Sequence, residues 1–140
     1  MKCSARNQFE GKVAAIRRGA VNAEVDLELP GGTVLVAQIT LPSLVHLELA
    51  VGKAATALVK SSWILVGAGI DEPRVSTRNR LAGTVSMVSK GIVNAEVTME
   101  TPAGISITAT ITNASVELLG LTPGVPAWAL FKASSIILAV

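Results

Sequence analysis

The sequence predicts an all-β protein built from two OB-like, five-stranded barrels, each with a short helix before its last strand. Three observations support this fold class: a gapless internal repeat, apolar residues at every second position, and turn-forming residues between the apolar segments.

The internal repeat has a constant offset. Ser4 matches Ser76 (76 − 4 = 72), and the segment that begins at Gly19 matches the one that begins at Gly91. About 27 of the 63 aligned positions are identical. We therefore predict two domains, residues 1–69 and 70–140, joined through the turn-rich segment 67–73.

Alternation within each copy predicts strands. In the segment 21–29, apolar residues take every second place and polar residues lie between them, which is typical of a half-buried strand. The predicted strands of the first copy are 4–9, 11–18, 20–29, 33–40 and 54–66, with counterparts 72 residues later. Segments 42–49 and 115–119 begin with proline or serine and predict one or two helical turns. Five strands and one short helix are typical of a partly open Greek-key barrel of the OB type.

Composition limits the class of protein. The formal net charge is only +2, so a nucleic-acid partner is not required. Mean hydropathy is +0.55, yet the longest apolar stretch, 63–70, is far shorter than the roughly 18 residues of a membrane-spanning helix. Since the N-terminus lacks the apolar region of a secretory signal, we expect a cytoplasmic protein. The excess of aliphatic residues over what two small barrels can enclose predicts an oligomer.

Groups suited to catalysis are sparse. The single histidine, His46, has no equivalent in the second copy, where Leu118 takes its place. The single cysteine, Cys3, has no partner, and Glu24 and Glu96 are isolated carboxylates within strands. We therefore expect neither an enzyme nor direct protein ligands to a metal ion.

Hydrogen-bond donors recur at the beginning and the end of each copy. They are Ser4, Arg6, Asn7, Lys60, Ser61 and Ser62, then Ser76, Arg78, Asn79, Lys132, Ala133 (where the hydroxyl is missing) and Ser134. Basic and hydroxyl side chains without matching acceptors suit a deprotonated oxyanion, because such an ion only accepts hydrogen bonds. The first and last strands of an OB barrel can lie close together, which would let these segments converge. The alternative is that they are ordinary solvated surface residues.

Two further repeated groups could bind an anion. One is the pair of glycine-containing turns, with Gly19, Val21 and Asn22 in one copy and Gly91, Val93 and Asn94 in the other. These turns could expose backbone N–H groups to an anion or could be plain hairpin turns. The other group holds the hydroxyls Thr40, Ser43, Thr112 and Ser115. Capping of the short helix is the alternative role of these hydroxyls.

Aromatic residues argue against nucleic acid, the frequent partner of OB barrels. Single-strand binders stack bases on exposed rings. This chain has only Phe9, Phe131, Trp63 and Trp128, at positions that look like core, and none is matched between the copies.

Taken together, the motifs resemble those of the molbindin, or Mop, domain. They are Ser-Ala-Arg-Asn, Gly-x-Val-x-x-Ile, Gly-Ala-Val-Asn-Ala-Glu-Val, Ile-Thr-x-x-Ser and Lys-x-Ser, and their duplication resembles the di-Mop type. The resemblance covers nearly the whole chain. It implies cytoplasmic storage or homeostasis of molybdate or tungstate, without a catalytic cofactor, in a trimer of two-domain chains that binds ions between subunits. A nucleic-acid-binding OB module and a molybdate-sensing regulatory domain are the alternatives.

The resemblance also implies a ligand set. It comprises Ser4, Arg6, Lys60 and Ser61 in the first copy, Ser76, Arg78, Lys132 and Ser134 in the second, and further contacts from Thr40, Ser43, Thr112, Ser115 and the backbones of Val21–Asn22 and Val93–Asn94. The copies differ, since Thr77 replaces Ala5, Ile92 replaces Ala20 and Ala133 replaces Ser61. We therefore expect the two copies to form sites of unequal affinity.

Overall fold

The computed structural model describes all 140 residues, which form ten strands and two short helices. The first repeat contains β1 (Asn7–Arg18), β2 (Asn22–Glu28), β3 (Val34–Thr40), α1 (Leu41–His46), β4 (Ala54–Val59) and β5 (Leu65–Ala68). The second contains β6 (Asn79–Lys90), β7 (Asn94–Glu100), β8 (Ser106–Thr112), α2 (Asn113–Leu119), β9 (Pro126–Phe131) and β10 (Ile137–Ala139). The 3-10 turns Ser61–Trp63 and Ala133–Ser135 precede β5 and β10.

The strands form two five-stranded antiparallel sheets in two compact units. Unit 1 comprises Met1–Val59 and Lys132–Val140, with strand order β10-β4-β1-β2-β3. Unit 2 comprises Lys60–Phe131, with strand order β5-β9-β6-β7-β8. β5 therefore pairs with β9 of the other repeat, and β10 pairs with β4. The segments 1–69 and 70–140 describe the sequence repeat, whereas the compact units have exchanged their last strands.

The first strand is longer than predicted. Segments 4–9 and 11–18 were expected as separate strands, but β1 is continuous through Gly11 and pairs first with β4 and then with β2. A Cβ at Gly11 would lie 2.5 Å from the Glu28 carbonyl oxygen, so glycine permits the close approach of β2. A register shift between Val13 and Ala15 follows, and a bulge of this kind bends a strand without ending it.

The predicted strand 54–66 is wrong, because the chain turns in its middle. β4 ends at Val59, and the Trp63 N–H then donates to the Lys60 carbonyl at 2.9 Å to close a 3-10 turn. The turn directs the following residues into β5 of the other unit. The same turn occurs in the second repeat, where the Ser135 N–H donates to the Lys132 carbonyl at 2.9 Å.

The alternation predicted for the second strand is confirmed. In β2, Ala23, Val25 and Leu27 are at most 1% exposed, while the residues between them are more accessible. The predicted helical turns are α1 and α2, which bury Leu44 and Val116, respectively. Neither helix has the length and apolar character needed to cross a membrane.

Candidate anion-binding sites

A cleft of about 420 Å³ opens in unit 1 between β3, α1 and the segment that leads into β10. Its lining residues are Asn22, Gln38, Ile39, Thr40, Ser43, Leu47, Ser134, Ile136, Ile137 and Leu138. No carboxylate is among them, and four of the predicted ligands are. The fold thus brings Asn22, Thr40, Ser43 and Ser134 to one cleft, although they are up to 112 residues apart in sequence (134 − 22 = 112).

Thr40 and Ser43 form a small hydrogen-bond network at this cleft. The Thr40 hydroxyl accepts from the Ser43 backbone N–H at 3.2 Å and donates to Ser43 Oγ at 2.9 Å. The Ser43 hydroxyl hydrogen is then left to donate elsewhere, and Ser43 lines the cleft. Thr112 and Ser115 repeat this arrangement at 3.1 and 2.9 Å. Helix capping by the threonine and donation by the serine are therefore compatible roles.

Some backbone N–H groups of the glycine-containing turns, which were predicted to face an anion, donate instead to carbonyls of the same turn. The Gly19 N–H donates to the Asn22 carbonyl at 2.8 Å, and the Gly91 N–H donates to the Asn94 carbonyl at 2.7 Å. The Val21 carbonyl accepts from the first amide of α1, the Leu41 N–H, at 3.0 Å. The glycine amides thus close the turns, and the turn of unit 1 contributes Asn22 to the cleft.

Asn7 and Asn79 lie inside the sheets. Both are 2% exposed, and Asn7 Nδ2 donates to the Val59 carbonyl at 3.2 Å. This bond fastens the beginning of β1 to the end of β4, where the two residues are register partners. We therefore assign Asn7 a structural role and leave both asparagines out of the proposed site.

Arg6 and Lys60 lie next to the Asn7–Val59 pair in sequence. The exchange of the last strands assigns the basic residues to units in a different way from the sequence repeat. Arg6 precedes the Asn7–Val59 pair and Lys60 follows it, but Lys60 begins unit 2. Of the basic and hydroxyl donors predicted at the two ends of each copy, unit 1 contains Ser4, Arg6, Lys132 and Ser134, and unit 2 contains Lys60, Ser61, Ser62, Ser76 and Arg78. The grouping by sequence copy, with Lys60 beside Arg6 and Lys132 beside Arg78, therefore differs from the composition of the units.

Lys60 and Lys132 keep their charge uncompensated by any carboxylate of the chain. Both are exposed, and neither forms an ion pair. Lys60 Nζ lies 5.8 Å from the centre of the Trp63 ring. By contrast, Arg17 contacts Asp26 at 2.7 Å, and this hydrogen-bonded ion pair raises the pKa of Arg17. The lysines are therefore the better candidates for an anion.

Gln38 was not predicted as a site residue, although it is exposed and lines the cleft. Its equivalent in the second copy is Thr110 (38 + 72 = 110), so this position is not identical in the two copies and the repeat does not point to it. Its position two residues before Thr40 on β3 was the available signal, because alternate residues of a strand share a face.

The aromatic residues divide between core and surface. Phe9 and Phe131 are buried as predicted, but Trp63 is 44% exposed. The expectation that Trp63 belongs to the core is wrong because this residue lies in a 3-10 turn instead of a strand. No group of three or more histidine, cysteine, aspartate or glutamate side chains is placed to hold a metal ion.

The architecture is that of a two-domain OB-like protein. The TOBE domain model matches residues 3–66 and again residues 75–138. The chain therefore belongs to the TOBE domain family and contains two such domains in tandem.

Relatives of this chain are described by their interaction with molybdenum. It is 46% identical over 140 residues to the molybdenum-pterin-binding protein MopA of Rhodobacter capsulatus, covering 100% of this chain and 53% of MopA. It is 47% identical over 142 residues to the molybdenum transport protein ModE of Azotobacter vinelandii, covering 100% of this chain and 52% of ModE. The chain thus spans about half the length of these two relatives.

A solved structure matches over the full length. It is the cytoplasmic molybdate-binding protein ModG with molybdate bound, with a TM-score of 0.95 and 49% sequence identity. The match covers 100% of this chain and 99% of the ModG chain.

Proposed function

We propose that this protein binds molybdate, or the similar dianion tungstate, for storage or homeostasis, and that it binds the ion without transforming it. One observation carries the proposal. Asn22, Thr40, Ser43 and Ser134 meet at a cleft whose lining contains donors and apolar groups but no carboxylate. The full-length likeness to ModG, a cytoplasmic protein described with molybdate bound, supports both the ligand and a cytoplasmic location.

The donor set matches the chemistry of the ion. Molybdate carries two negative charges and no proton, so each oxygen only accepts hydrogen bonds. Hydroxyls, amides and lysine ammonium groups can all donate to it. Hydrogenphosphate would direct its O–H at the same donors and leave a polar group unpaired, which costs about 1 to 3 kcal/mol. Sulfate also lacks a proton, so its rejection must depend on the size of the closed site.

A second copy of the chain completes the site in our proposal. The unit 1 cleft is open, and apolar side chains near the glycine-containing turns and on the helices are unusually accessible. They are Val21 (69% exposed), Val45 (69%), Ile92 (99%), Val93 (65%) and Leu118 (86%). Burial of such residues between subunits would remove apolar surface from water and narrow the unit 1 cleft. We propose the trimer of two-domain chains that the molbindin resemblance implies.

Titration calorimetry of the full chain tests the function. Molybdate and tungstate should release or absorb heat at a defined stoichiometry, while phosphate should bind at least about tenfold more weakly because of its unpaired O–H. Metal analysis and the mass of the purified oligomer after exposure to molybdate would give ions per assembly. A complete lack of molybdate binding would overturn the proposed function, and equal affinity for sulfate would overturn the claimed selectivity.

A further inference from the structure

At three positions near the proposed sites, one unit has a hydroxyl side chain and the other does not. Unit 2 contains Ser61, Thr77 and Thr110, and the equivalent positions of unit 1 carry Ala133, Ala5 and Gln38. Each equivalence is the same 72-residue offset that relates the two copies. At these three positions unit 2 has a hydroxyl and unit 1 has none, and each position lies in or beside a segment that the proposed function uses. The opposite difference occurs once in these segments, where unit 1 has Ser135 and unit 2 has Trp63.

Ser61 and Thr110 form a hydroxyl pair in unit 2. Their Oγ and Oγ1 atoms are 2.7 Å apart, and either can be the donor. One hydroxyl hydrogen is used in the pair, and the other remains available. Thr110 precedes Thr112 by two positions on β8, so the two residues share a face of the strand. Gln38 and Thr40 have the same spacing on β3, and both line the unit 1 cleft.

The corresponding positions in unit 1 are less well prepared to donate. Ala133 is 6% exposed and supplies only a methyl group. Gln38 is exposed, and its flexible side chain must lose rotational freedom when it orders around a ligand. The Ser61–Thr110 pair has its geometry fixed in advance, which favours tighter binding.

Thr77 adds a second, independent observation. It is 7% exposed, and its Oγ1 has no hydrogen-bond partner. A buried hydroxyl without a partner is unfavourable, and a bound ligand is one way of satisfying it. Thr77 lies between Ser76 and Arg78, two of the proposed ligands, and its counterpart Ala5 has no polar group.

We propose that the oxyanion site built on unit 2 is the tighter of the two and that Ser61, Thr77 and Thr110 determine the difference. This inference rests on the proposed function. The two classes of site fill in order, with unit 2 first, and one additional prepared donor corresponds to an affinity difference of about tenfold.

Calorimetric titration of the full chain with sodium molybdate tests this assignment. Wild type should show two classes of site with affinities at least about tenfold apart. Converting unit 2 to the unit 1 pattern with Ser61→Ala and Thr110→Gln should weaken the tight class by about tenfold. Thr77→Ala should weaken the same class and leave the other unchanged.

The reverse substitutions distinguish a specific effect on binding from a loss of affinity caused by misfolding. Gln38→Thr with Ala133→Ser installs the hydroxyl pair in unit 1 and should strengthen the weak class, a gain that misfolding cannot produce. Ser86→Ala is the matched control, because it removes a hydroxyl of the same unit that is exposed on β6 and donates to the Thr98 carbonyl at 3.2 Å. This control should leave both affinities unchanged.

Two results would overturn the inference while leaving the proposed function intact. One is a single class of molybdate sites in wild type. The other is a tight class that survives both the Ser61→Ala/Thr110→Gln double substitution and Thr77→Ala. A wild-type protein that binds no molybdate would instead remove the function on which the inference rests.

Discussion

Thr40 and Ser43 are joined by two hydrogen bonds in which the threonine hydroxyl both accepts and donates. It accepts from the Ser43 backbone N–H at 3.2 Å and donates to Ser43 Oγ at 2.9 Å. The threonine thereby caps α1, and the serine keeps a hydroxyl hydrogen for the cleft. The same relationship between Thr112 and Ser115 means that each unit presents one oriented serine beside a capped helix.

Because the threonine caps the helix and the serine faces the cleft, substitutions of the two residues should affect stability and molybdate affinity separately. Ser43→Ala with Ser115→Ala leaves both capping N–H bonds in place, so molybdate affinity should fall about tenfold while the unfolding free energy changes by less than about 0.5 kcal/mol. Thr40→Ala removes the cap and should destabilise the protein by about 1 kcal/mol. Calorimetry and urea unfolding measure the two effects. Ser89→Ala, at an exposed position of β6, is the control for both. Unchanged affinity in the double serine variant would contradict the donor role.

The uncompensated lysines should dominate the electrostatic part of binding. Lys60→Gln with Lys132→Gln should lower molybdate affinity at least about tenfold and flatten its dependence on salt, because charge attraction is screened by ions. Arg17→Gln is the matched control, since Asp26 and Glu24 already neutralise that guanidinium. Titrations at low and high sodium chloride measure both quantities. Equal losses in the lysine and arginine variants would mean that only overall charge matters.

Gly11 should tolerate no side chain. An added Cβ would meet the Glu28 carbonyl at 2.5 Å, so Gly11→Ala should destabilise unit 1 by about 1 to 3 kcal/mol through forced backbone movement. Gly67→Ala is the control, because its Cβ would meet neighbours only at 3.7 to 3.9 Å. Thermal or urea unfolding compares the two variants. Similar stability for both would show that β2 can move away from β1 at little cost.

The exchanged strands predict where a C-terminal substitution acts. Leu138 is 6% exposed in β10, which pairs with β4 of the first repeat. Leu138→Ala should cost about 2 to 5 kcal/mol and reduce amide hydrogen-exchange protection in β4. Loss of protection confined to β9, in the same sequence repeat as Leu138, would contradict the exchange.

The sequence was informative about features that repeat and about features that alternate. The 72-residue offset revealed the duplication, and the period of two in β2 identified its buried face. It was less informative about why a shared residue is shared. Asn7 recurs as Asn79, yet the amide of Asn7 holds two strands together instead of facing a ligand. A duplication repeats the residues that the fold requires along with those that the site requires, so recurrence alone does not separate the two.

The sequence by itself determined that the chain consists of two similar OB-like halves, that each half carries donors suited to an anion, and that the halves differ at a few of these positions. Only the tertiary structure decided which final strand completes which sheet, and hence that Lys132 and Ser134 belong with unit 1. The physical reason is that β5 and β10 are nearly equivalent apolar segments that either sheet could accept. Alternation of apolar and polar residues specifies which face of a strand is buried. It does not specify which of two similar sheets the strand joins.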